Sequence, residues 1–131
     1  CNLGANTNNS NLKNDYSSVK LFSYATGEPE DTGLINCGLY MGDYSKSGIN
    51  TMFNTGTVAG VHVNVFGAGF QEKFIPSFSW GGKTEGSCTY RLDKALSVAQ
   101  MTTKSKNQVF TEADARLLEE IHKRSALYRM E

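Results

Sequence analysis

Two histidines, three cysteines and an Asn-rich opening run are the residues of this 131-residue chain whose types invite chemistry. His62 stands in "AGVHVN" and His122 in "EEIHKR". An imidazole serves as a general base when a partner orients it and a substrate proton lies within hydrogen-bond reach. The sequence names no such partner for either. His62 reads as a surface histidine beside a groove, and His122 as a solvated member of a charged helix face. Cys1, Cys37 and Cys88 are odd in number and lack metal-ligand spacing, so they read as reduced, buried structural thiols of a cytoplasmic protein. No Ser-His-Asp order, phosphate-binding loop, zinc ligand set or calcium loop appears. Gly67-Ala68-Gly69 is no dinucleotide fingerprint, because no helix follows it.

The scaffold is more informative than the reactive groups. "MGDYSKSGINTMFNTGTVAGVHVNVFGAGF", Met41 to Phe70, falls into hexads. First positions are Met41, Ser47, Phe53, Ala59 and Val65, mostly apolar. Second positions are Gly42, Gly48, Asn54, Gly60 and Phe66, and fifth positions are Ser45, Thr51, Thr57, Val63 and Gly69. Hexapeptide repeats are a β-helix signature, with short parallel strands on flat faces and a corner every six residues. Gly and Asn at the second positions suit corners that need positive φ. The small fifth-position side chains are expected to point inward, leaving Lys46 exposed. The alternative is a Gly/Thr-rich meander of an ordinary sandwich.

The hexad template also fits Leu3 to Asn8, so the chain reads as a fragment whose upstream repeats are missing. Residues 1–82 form the β domain, interrupted over about 18–38 by a hairpin-like loop centred on Thr26 to Asp31. After Phe70 the period stops. Phe74, Pro76, Phe78 and Trp80 alternate with other residues and read as an aromatic plug over the end of the core. Residues 83–131 form a helical extension. One helix is expected over about Asp93 to Thr103. A second should start at Thr111, where Asp114 completes a capping box. The pair should cap the repeats or pack on a neighbouring subunit.

Thirteen basic and thirteen acidic residues cancel. Neutrality leaves no electrostatic footprint for nucleic acid or an anionic membrane, and no apolar run approaches the ~20 residues of a membrane span.

"NLGANTNNSNLKND", the five hexads and "SFSWGG" together resemble the C-terminal part of Bacteroidetes-type sugar nucleotidyltransferase–acyltransferases. These are similar to the bifunctional N-acetylglucosamine-1-phosphate uridylyltransferase/glucosamine-1-phosphate acetyltransferase. The resemblance covers residues 1 to about 82 closely. It implies a mainly β fold, a left-handed parallel β-helix with an inserted hairpin-like loop and two C-terminal α-helices, assembled as a homotrimer. It further implies a transferase that moves an acetyl-type group from acetyl-CoA to an amino-sugar phosphate in nucleotide-sugar synthesis. Mg2+ would act only in an upstream nucleotidyltransferase domain. By the same resemblance Asn11 is the catalytic amide beside the acyl group, Asn2 contacts the sugar, and Ala5 and Gly67 meet acyl-CoA. The catalytic histidine would precede residue 1. The family's Asn-Tyr-Asp-Gly has become Asn11-Leu12-Lys13-Asn14, and its substrate lysine falls near Ser17. Lys13, close by, is a candidate to replace that charge, but it reads more readily as a solvated lysine. The competing reading is a catalytically inactive trimerising scaffold for an upstream nucleotidyltransferase domain.

Overall fold

The structure, a computed structural model, describes residues 1–129. The last two residues of the 83–131 extension lie outside it. Twelve short strands come first: β1 (Asn2–Leu3), β2 (Asn8–Asn9), β3 (Lys20–Ser23), β4 (Glu28–Asp31), β5 (Tyr40–Met41), β6 (Lys46–Ser47), β7 (Met52–Phe53), β8 (Val58–Ala59), β9 (Asn64–Val65), β10 (Phe74–Ile75), β11 (Ser79–Gly82) and β12 (Gly86–Thr89). Helices α1 (Leu92–Ser105) and α2 (Glu112–Ser125) follow, ending in a tight 3-10 turn, Ala126–Arg129.

Each hexad gives two residues to pairing and the rest to a turn. Residues three hexads apart then meet in parallel: Lys46 faces Asn64, Ser47 faces Val65, Tyr40 faces Val58 and Met41 faces Ala59. β1 and β2 join the same ladders, Asn2 opposite Lys46 and Asn8 opposite Met52, across the inserted loop. That loop holds the antiparallel hairpin β3–β4, and β11 pairs with β9 in parallel but with β12 antiparallel. The expected mainly β, left-handed parallel β-helix is therefore corrected. The fold is mixed, with 25% helix against 27% strand, and its many short strands lie in small sheets of both senses. Two-residue pairings cannot make a β-dominated architecture when the last third of the chain is helical.

Inside the ladders, Phe53, Ala59, Val63, Val65 and Ile75 form one apolar core. Fully burying a side chain such as Phe or Val contributes about 1.5–3 kcal/mol. Ser45, Thr51 and Thr57 are wholly buried, as fifth positions should be. Their hydroxyls are satisfied within the turns for the two threonines and across to the next rung for Ser45. Thr51 donates to the Gly48 carbonyl and Thr57 to the Asn54 carbonyl, both at 2.8 Å. Ser45 donates to the Gly60 carbonyl at 2.7 Å and accepts from the Val63 N–H at 3.0 Å. Lys46 is half-buried rather than exposed.

Positive φ falls at the fourth positions, not the second: Tyr44 64°, Asn50 64°, Gly56 62° and His62 55°. Second-position glycines answer a different need. A Cβ on Gly42 would lie 2.7 Å from the carbonyl carbon of Gly60, and one on Gly4 would lie 2.5 Å from that of Gly48. Successive rungs stack too closely there for any side chain.

Both helices form where expected. Thr111 Oγ1 accepts the Asp114 N–H at 3.1 Å, and the Asp114 carboxylate accepts the Thr111 N–H at 2.9 Å. The pair covers one side of the ladder: Ala95 and Ala99 of α1 and Leu118 of α2 pack on Phe78 and Tyr90. The aromatic segment is no single plug. Phe78 is wholly buried under the helices, and Trp80 is 39% exposed. Phe74 stacks on Phe22 of the hairpin at 3.7 Å, with Tyr24 and Tyr128 edge-on. Of the thiols, Cys37 is buried, but Cys1 and Cys88 are exposed.

Candidate functional site

The fourth-position corner on the helix side is a column of rings. His62 lies flat against Tyr44 (5.0 Å, 9°) and nearly flat against Phe78 (5.4 Å, 25°), with Tyr90 edge-on at 5.4 Å. His122 of α2 sits edge-on to Phe78 at 4.8 Å and is half-buried, not a solvated residue. His62 is therefore fully enclosed instead of facing a groove, and among the described residues neither of its ring nitrogens has a hydrogen-bond partner. Burial, with a smaller push from Lys46, lowers its pKa to about 4. An imidazole acts as a general base only where a substrate proton can come within hydrogen-bond reach, and the buried His62 ring presents no nitrogen to solvent. His62 is not a general base.

The four residues singled out from the sequence lie apart. Asn2 is exposed on β1 and lines an open cleft of about 490 Å³ with Asp43, Lys46 and Lys106. Ala5 is exposed in a turn, where its carbonyl accepts the Asn50 N–H at 2.9 Å. Asn11 is exposed where the inserted loop leaves, its carbonyl accepting the Cys37 N–H at 2.9 Å on the loop's return. Gly67 has φ 116°, and a Cβ there would lie 2.8 Å from Cγ of Glu85. Its carbonyl accepts from the Gln71 amide at 3.3 Å. No cleft described here holds two of the four.

The arrangement with chemical promise is beside Asn11. A cleft of about 420 Å³ is lined by Ser10, Lys13, Asn14, Asn54, Thr55 and Lys73, with Leu12 and Phe70 as apolar walls. A bridge between Phe70 and Met52 brings the segment carrying Lys73 against the rung carrying Asn54 and Thr55. Burial, and next the charge of Lys13, lowers the Lys73 pKa. No carboxylate lines the cleft, and neither lysine forms an ion pair among the described residues. The two ammonium groups repel each other, and although Asp15 and Asp31 offset part of the Lys13 charge from outside the cleft, an anion between the lysines, met by hydroxyl and amide donors, stabilises both. Lys13 was visible in the sequence as a substitute charge. Lys73 was not, because it follows the last hexad and no spacing rule places it beside Lys13.

Among the described residues no three of His, Cys, Asp and Glu gather to hold a metal ion. No helix among them is long and apolar enough to cross a membrane. Compared with known proteins, the chain matches no family model and no curated sequence.

Proposed function

We propose that this chain is an acyl-transfer unit that moves an acetyl-type group from acyl-CoA to an amino-sugar phosphate. The observation that supports the reading is the Lys13–Lys73 cleft next to Asn11, whose two cations suit a phosphate and whose hydroxyl and amide groups suit a sugar. Holding the phosphate there fixes the amine relative to the thioester, and such positioning supplies much of the rate in a transfer of this kind. The amine nitrogen attacks the thioester carbonyl, the C–S bond breaks, and the thiolate leaves with the proton the amine gives up. The Asn11 amide N–H is suited to the oxyanion formed in between. Among the described residues no base lines the cleft, so a water relays the amine proton to the departing thiolate.

The absence of a base among the cleft residues favours a second reading, a trimerising scaffold without transfer activity. The two readings separate by mass spectrometry of amino-sugar 1-phosphates incubated with the full chain and acetyl-CoA. Acyl transfer predicts an acetylated product, a KM for the sugar phosphate raised about tenfold in Lys73→Ala, and a lowered kcat in Asn11→Ala. No product with any amino-sugar phosphate, from a protein that light scattering shows to be trimeric, establishes the scaffold.

A further inference from the structure

A second cleft lies between the β11–β12 hairpin and the start of α1. Its floor is Trp80 with Tyr90 and Val98, and its rim carries Arg91 and Lys94. The volume, about 480 Å³, falls within the 300–1,000 Å³ typical of small-molecule sites.

Three observations define what it would take. First, Trp80 is 39% exposed, and its ring neighbours Tyr90 (4.9 Å, 87°) and Phe66 (6.2 Å, 78°) both meet it at near right angles. Among the described residues no ring lies flat against the indole. Second, the Arg91 guanidinium is held by two hydrogen bonds to Asp93, at 3.2 and 2.8 Å, while Lys94 has no ion-pair partner among the described residues. Third, among the described residues no carboxylate lines the cleft. A flat aromatic surface beside two cations, Arg91 and Lys94, that outnumber the single carboxylate of Asp93 next to them complements a planar base joined to a phosphate.

We propose that this cleft binds a purine nucleotide, its base stacked on Trp80 and its phosphate against Lys94 and the oriented Arg91. The site is separate from the Lys13–Lys73 cleft and stands whether or not the chain transfers acyl groups. The same chemistry is offered by a free nucleotide and by the nucleotide end of coenzyme A.

Trp80 is the single tryptophan of the chain, so its fluorescence reports the site directly. The full chain is titrated with ADP, adenosine, pyrophosphate and coenzyme A. The expected result is saturable quenching by ADP, with adenosine and pyrophosphate each at least tenfold weaker. Lys94→Glu should weaken ADP about tenfold while leaving the emission of the free protein unchanged. Calorimetry of Trp80→Leu should show ADP binding lost, with the far-ultraviolet circular dichroism retained. Coenzyme A binding at least tenfold tighter than ADP identifies the acyl carrier as the source, and equal binding identifies a free nucleotide. No saturable quenching by ADP or coenzyme A at millimolar concentration overturns the proposal. So does quenching that Lys94→Glu leaves unchanged, or a ligand-free emission shift that tracks protein concentration and assigns the indole to contact between copies.

Discussion

Two columns run along the ladder, built from the same period by opposite means. In one, Gly42 and Gly60 stack so closely that backbone meets backbone and no Cβ fits between them. In the other, Tyr44, His62 and Phe78 stack ring on ring, and two helices close over them. A repeat decides which residues align. What covers the column decides whether an aligned residue is surface or core. The glycine column is therefore sensitive to added volume and the ring column to removed volume or added charge.

The largest expected effect is on the ring column. Phe78→Ala leaves a cavity under both helices and should cost about 3–4 kcal/mol in denaturant unfolding. A loss under 1 kcal/mol would mean that the helices hold to the ladder by other contacts.

Acid should break the same column. The unfolded chain takes up a proton on this imidazole near pH 6.5, whereas the folded one resists until about pH 4. The stability is full above pH 6.5 and falls as pH drops through that window, by about 3 kcal/mol in all. His62→Phe keeps the stacking and removes two unpaired nitrogens. It should remove that part of the acid sensitivity and add about 1 kcal/mol at pH 7. Urea midpoints of both proteins across pH 4–7 check this.

The glycine column gives the next effect. Gly42→Ala pushes a methyl group against the Gly60 backbone, which cannot rotate away, and should cost about 2 kcal/mol. A neutral outcome would show that the rungs can separate. Thr111→Ala removes the cap of α2 and should cost about 1 kcal/mol, a loss that sharpens the comparison by loosening only the cover of the ring column.

The period, the buried Ser45, Thr51 and Thr57, the inserted hairpin and the Thr111 cap could all be read from the sequence, because each depends on neighbours within a few residues or on a fixed repeat. Three features could not. Glycine at the second positions looked like a demand for positive φ, yet it answers a contact between rungs that lie three hexads apart. His62 looked exposed because its hexad position points outward, and nothing in "AGVHVN" announces that α1 and α2 return to that corner. Lys73 joins Lys13 only through the bridge of Phe70 to Met52. Of the four residues taken from the family resemblance, only Asn11 adjoins the lysine cleft, flanked by its lining residues Ser10 and Leu12.

The helices seal His62 as a neutral core ring, which removes it as the base for any transfer reaction. A pH titration of the His62 ring protons by NMR tests this most directly. A midpoint near pH 4, reached together with loss of the folded spectrum, is the predicted result. A midpoint near 6.5 in a protein that stays folded would contradict it and return His62 to the list of candidate bases.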